Sequence, residues 1–298
     1  MAVTYRDLIE DVAMYVYGLG TERDTVTTLT APATTASTTL FVDDARQLAK
    51  GFIEIDDECL AVKGTDAQAN AVSIHSWGRG DRGTTAATHE AGARVTNNPR
   101  FPRTRIKAEI IQAAVGLWPR LWGIGTYDAL TSRPAQVTYE LPADCEYPID
   151  IAVRSLGPSR MWQRVTRWRF DRGANLDAFP SGRSVDIYDM MPPGQPIKVV
   201  YRRSIAPFTS EADTMESVGM QDGWRDIVKW SAAAGLIMAS DAARTQLDTI
   251  EAASRAEKVQ PTAPTAVSRQ LMALVETRIA EERAALNLMY PGSQVRLA

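Results

Sequence analysis

The chain has 298 residues, 45% of them hydrophobic and 23% charged, with a formal net charge of −3 and a pI near 5.6. That length buries a sizeable core and has room for two or three domains. The charge balance excludes an overall basic nucleic-acid binder, leaving only local basic patches such as Arg164, Arg167, Arg169 and Arg172.

Two cysteines, Cys59 and Cys145, argue against a disulfide framework and suit synthesis in a reducing cytosol. The N-terminal MAVTYRDLIEDVAMYVYG carries Asp7, Glu10 and Asp11 inside its apolar pattern, so it reads as neither signal nor transit peptide. The longest apolar run, Ile227 to Ala239, is interrupted by Lys229. It falls short of the ~20 residues that cross a bilayer, and no membrane contact is expected.

In chain order, residues 4–17 predict a short amphipathic helix, with Thr4 as its cap and Leu8, Val12, Tyr15 and Val16 on one face. Gly18 and Gly20 end it. The threonine-rich stretch 25–43 favours strand, because β-branched side chains fit a pleated surface. Strands follow at 52–55, 58–62 and 71–77, with an acidic turn at Asp56–Asp57 and a tight loop through Gly78, Gly80 and Gly83. Arg94–Thr96 closes the module, and Pro99 and Pro102 lead back to helix.

Ile106, Ile110, Ala113, Leu117 and Leu121 repeat at helical spacing over 104–122, where Pro119 kinks or ends the helix. Residues 136–205 return to short antiparallel strands with turns at Pro158, Gly173, Gly182 and Pro192–Gly194. From about 222 the chain reads as helix again: Trp224, Ile227, Val228, Trp230, Ala234, Ile237 and Met238 make one apolar face. The small residues Ala232–Gly235 permit a second helix to approach. Pro261 and Pro264 break this segment. A last helix over 268–289 carries Leu271, Val275, Ile279 and Leu286 as its stripe.

Candidate chemistry is sparse. His75, His89, Cys59, Asp56, Asp57 and Glu58 suggest a metal site only by composition, for the paired short spacings of zinc ligands are missing. No Gly-x-Ser-x-Gly elbow accompanies the histidines, and His89 in THEAG reads as a turn residue near a strand start. GRGDRG matches neither a dinucleotide fingerprint nor a phosphate loop. Its Arg79–Gly80–Asp81 tripeptide is better read as a glycine turn than as an integrin-type ligand. The tryptophans at 118, 122, 162, 168, 224 and 230 suit interface anchors or core packing. Arg164, Trp168 and Arg169 form an alternating strip that faces either DNA phosphates or plain solvent.

Several stretches together resemble one family. GFIEIDDECLAV…WGRGDRGTTAATHEAGARV resembles a β-module that recurs in structural proteins of tailed bacteriophages, and IKAEIIQAAVGLWPRLW resembles a helix of their head-to-tail connectors. YELPADCEYPIDI, RWRFDRG, PSGRSVDIYDMMPPGQPIKVVYRR, GWRDIVKWSAAAGLIMASDAAR and SRQLMALVETRIAEERAALNLMYP resemble later segments of the same proteins, in order.

The resemblance implies an α+β chain, a helical bundle core with two inserted antiparallel β modules. The bundle would comprise 1–24 with 99–130 and then 211–289; the modules would be 25–98 and 131–210, and 290–298 a C-terminal tail. It implies a non-enzymatic adaptor of the virion neck, made in the bacterial host cytoplasm. The adaptor needs no catalytic residue, cofactor or metal. Its implied partners are the portal protein, neighbouring copies in a ring (a dodecamer), a stopper or tail protein, and genomic DNA passing through the lumen. Ile106, Ile110, Leu117, Trp224, Ile227, Trp230, Leu271, Val275 and Ile279 would pack the bundle and ring, and Tyr290, Pro291, Val295, Arg296 and Leu297 would dock on the portal. The alternatives are a stopper or tail-proximal neck protein, or a host-surface or carbohydrate-binding virion module.

Overall fold

The computed structural model describes residues 2–18, 24–48, 51–156, 160–239 and 263–290. The expected helical bundle core is not what these residues build. The chain is mostly β, with thirteen strands in three antiparallel sheets and four helices making up 28% of it among the described residues. The helical periodicities do mark helices: α1 (Tyr5–Gly18), α2 (Arg103–Val115), α3 (225–239) and α4 (Ala263–Met289). Two apolar clusters, however, are built by strands and the loops beside them. No helix among the described residues is long and apolar enough to cross a membrane.

The chain separates into two compact units: 7–110 with 231–270, and 1–6 with 111–230 and 271–298. In the first, β1 (Thr25–Thr28), β2 (Thr39–Phe41), β3 (Gly51–Ile55), β4 (Glu58–Asp66), β5 (Ala71–Ile74) and β6 (Arg94–Asn97) form a sheet of order β1-β6-β3-β4-β5-β2. The sheet curls until its edges meet. Leu29 bridges Val42, the Thr30 N–H donates to the Phe41 carbonyl, and the Asp43 N–H donates to the Thr28 carbonyl. Period-two alternation sends Leu40, Val42, Ile53, Ile55, Leu60, Val62, Val72 and Ile74 to the inside. The acidic turn places Asp56 at φ 52, a left-handed conformation that aspartate tolerates.

In the second unit, β7 (Gly123–Thr131), β8 (Thr138–Glu140), β9 (Tyr147–Arg154), β10 (Trp162–Arg164), β11 (Trp168–Asp171), β12 (Ser184–Ile187) and β13 (Pro196–Arg203) make two sheets, ordered β10-β9-β13-β7 and β11-β12-β8. Their inner faces share one core, with Ile151, Val153, Ile197 and Val199 from the first sheet and Tyr139, Val185 and Ile187 from the second. The Tyr201 ring lies across β7 at Gly125, where any Cβ would clash with the nearest ring carbon. Its hydroxyl donates to Asp144 at 3.0 Å.

Two local departures from the sequence reading have physical causes. Helix α2 stops at Val115 instead of running to 122, because Gly116 loosens the chain and Pro119 cannot continue it. Leu117, Leu121 and Trp122 remain buried in the turns that follow. Residues 123–131 are strand rather than the tail of a helical segment. A β-bulge opposite Ile197–Val199 adds a residue to β7, so Tyr127 and Leu130, three positions apart as on a helix, both pack against the strand core. At the start of α1, the N–H groups of Tyr5 and Arg6 donate to the carbonyls of Asp213 and Glu211. Two of the N–H groups that a helix N-terminus leaves without intrahelical acceptors are thus met by a distant segment.

Candidate functional site

Among the described residues, the most charged interior lies at one end of the curled sheet. Glu58 opens β4 and shares the face of Leu60 and Val62, so its carboxylate points into the barrel end, where its side chain has no solvent exposure. The loop 77–90 folds over it. Arg79 donates to both carboxylate oxygens, from Nε at 2.7 Å and Nη2 at 2.8 Å. The backbone N–H groups of Gly80 and Ala87 each donate at 2.9 Å. His89 Nε2 lies 2.8 Å from Glu58 Oε2, and His89 Nδ1 lies 2.8 Å from Asp56 Oδ2. A ring protonated on both nitrogens donates to both carboxylates.

Burial alone would raise the Glu58 pKa, but the Arg79 guanidinium, the Ala87 N–H, His89 and the Gly80 N–H outweigh it and hold the group at about 2. Arg79 also donates to the carbonyls of Thr34, Ser37 and Ala87, tying in the β1–β2 connection. Gly80 sits at φ +63, with a would-be Cβ 2.9 Å from the Thr84 carbonyl, so the turn admits only glycine without strain. His89 and Ala33 exchange backbone hydrogen bonds at 2.8 and 2.9 Å. The arrangement stores charge inside the fold and pins a loop.

This geometry settles three sequence readings. Arg79 is buried beneath its own loop and Asp81 is bridged to Cys59, so Arg79–Gly80–Asp81 is not displayed as a ligand. His89, read as a turn residue near a strand start, is buried and lies between the carboxylates of Asp56 and Glu58. Glu58 and Arg79 were missed as partners because no local spacing links them. The readable signal was alternation: a carboxylate in phase with Leu60 and Val62 demands a buried cation.

A second buried acid sits on the opposite face of the same sheet. Glu54 on β3 is 8% exposed. Its Oε1 accepts the Arg103 N–H at the start of α2, at 2.8 Å, and its Oε2 has no partner. Burial pushes its pKa up to about 7; the Arg103 N–H opposes the shift and the Asp57 charge adds to it. Asp57 itself pairs with Arg103 and Lys107.

The expected packing residues Ile106, Ile110, Leu117, Trp224, Ile227, Leu271, Val275 and Ile279 are all buried within the chain, and Trp230 is half-buried. Of the expected portal-docking residues, Tyr290 is half-buried at the end of α4, its N–H donating to the Leu286 carbonyl at 2.9 Å. Pro291, Val295, Arg296 and Leu297 lie outside the described residues. The strip Arg164–Trp168–Arg169 does not exist as one strand: Arg164 is on β10 of one sheet, and Trp168 and Arg169 are on β11 of the other. Trp168 packs against the shared core, and Arg169 is exposed. Arg164, Arg167 and Arg172 pair with Asp150, Asp189 and Glu146.

Both thiols are buried. Burial pushes Cys59 up to about 11 and Cys145 to about 12. Among the described residues no group of three or more His, Cys, Asp and Glu side chains is placed to hold a metal ion. No family model matches the chain, and no curated protein matches it.

Proposed function

We propose that this chain is a structural protein of a tailed-bacteriophage virion, the adaptor that joins the portal of a DNA-filled capsid to the tail as a ring of copies. The observation that carries the reading is the resemblance of successive segments, in order, from GFIEIDDECLAV to SRQLMALVETRIAEERAALNLMYP. The use of reactive side chains as architecture supports it. Glu58, Arg79 and His89 pin a loop, and both thiols are buried far above the range in which they act as nucleophiles. The ring would be built from a mostly β chain, its contacts closing by rotation between unlike surfaces.

The test is a cryo-EM map of the virion neck with this chain traced in it. The expected result is a ring directly beneath the portal, with the segment after Tyr290 against the portal. A ring one layer further from the capsid would make it a stopper or tail-proximal protein. Density at the tail tip or on the capsid surface would overturn the adaptor reading.

One observation favours a second reading, a host-glycan module. Trp77 is 67% exposed and stacks on His75 with ring centroids 4.8 Å apart, leaving an indole face open for a sugar ring. A glycan array with Trp77→Ala as control separates this reading: specific binding lost in the variant supports it, and no binding removes it.

A further inference from the structure

The outer face of the sheet β10-β9-β13-β7 carries an exposed tryptophan set between cations. Ile151, Val153, Ile197 and Val199 point into the core, so alternation turns Ala152, Arg154, Lys198 and Val200 outward. Register places Trp162 opposite Arg154, and both Arg164 and Lys198 opposite Ala152. Arg164, Ala152 and Lys198 thus form one row across three strands, with a small residue as its floor. The Trp162 ring lies 5.8 Å from the Arg154 guanidinium and 5.9 Å from the Lys198 ammonium, and it stays 44% exposed on an edge strand whose residues are all exposed.

The charge on this face is unbalanced. Arg164 is paired with Asp150 at 2.7 Å. Among the described residues no carboxylate is in ion-pair reach of Arg154 or Lys198. Asp128, across from Lys198 at the bulge, is exposed and takes part in no ion pair with it. In a chain of net charge −3, two such cations flanking one indole mark a surface with an anionic counterpart.

We propose that this face binds single-stranded nucleic acid, with a base stacked on Trp162 and the flanking phosphates held by Arg154, Lys198 and Arg164. An open strand offers a π-face to the indole and a phosphate on each side of every base. A duplex hides its base faces in the stack, and a broad sheet face does not enter a groove as a helix does. An acidic peptide would use the cations but leave the indole idle. A sugar would use the indole and leave the cations idle. The inference rests on this face alone and stands or falls independently of the adaptor reading.

The test is fluorescence polarisation of the full chain with a labelled oligothymidine and a duplex of the same length, each about 20 nucleotides. We expect the single strand to bind more tightly than the duplex. With three phosphates neutralised, affinity should fall roughly twentyfold between about 50 and 200 mM salt. Trp162→Ala should weaken single-strand binding about tenfold. Arg154→Glu with Lys198→Glu should abolish it, and Arg169→Glu, on the other sheet, should leave it unchanged. Circular dichroism checks that each variant is folded. If the double reversal does not fold, Lys198→Ala decides, with an expected decrease of about 0.7 in the log–log salt slope. The proposal is overturned by absent single-strand binding, by equal duplex binding, by polyglutamate competing as well as the oligonucleotide, or by wild-type behaviour of the charge variants.

Discussion

Glu58 and His89 are 31 residues apart in the sequence and 2.8 Å apart in the fold. Arg79 fills the remaining side of the same carboxylate. Removing one partner of a buried ion pair leaves an uncompensated charge, which typically costs about 3–5 kcal/mol. Arg79→Met should therefore destabilise the chain by about that amount in urea unfolding. Arg169→Met, at an exposed position, should stay within about 0.5 kcal/mol of wild type.

The two buried glutamates predict opposite pH responses. Glu58 is lowered from 4.5 to about 2. Its stabilisation is complete above the unfolded value and is lost as pH falls from about 4.5 toward 2, on the order of 3 kcal/mol in all. Glu54 is raised from 4.5 to about 7. The folded state then binds the extra proton between those values, so stability falls as pH rises from about 4.5 to 7. Glu54→Gln should remove that downward slope and stabilise the chain at pH 8 by roughly 1–3 kcal/mol. Urea midpoints measured across this range check both signs.

Gly125 should be among the least replaceable glycines of the second unit. Gly125→Ala forces the Tyr201 ring out of the core and should cost about 1–3 kcal/mol. Gly64→Ala meets nothing within 4 Å and should change stability by less than about 0.5 kcal/mol. Thermal unfolding of the two variants side by side measures the difference.

Neither thiol should react in the folded protein. Both are buried and held above the usual cysteine range. Labelling with a thiol-exchange reagent at pH 8 should be slow on the native chain and reach both sites in denaturant. Fast native labelling of either site would show that its burial is lost in solution.

Period-two alternation made the curled sheet legible: Ile53, Ile55, Leu60 and Val62 announce both the strands and their inward face. Helices α1 and α4 were legible from their apolar stripes. What misled was weight, because clear helical stripes suggest a helical core while thirteen strands, some as short as Thr39–Phe41 and Trp162–Arg164, make the chain mostly β. Such segments are too short for periodicity to speak. Strand β7 failed for a different reason, a bulge that is a property of the strand pair rather than of either sequence. The Glu58 network was half legible, as a carboxylate in an inward position whose partners only the fold supplies.

The meeting of Leu29 with Val42 has a bearing on crowding. A strand edge left open is a template for another chain. The six-stranded sheet turns its two edges toward each other at Leu29 and Val42, whereas among the described residues the outer edges of β10, β7, β11 and β8 are paired with no strand. Where many copies of this chain are packed together, strand addition has those four edges of the second unit to use, and the curled module offers far less for it to start from.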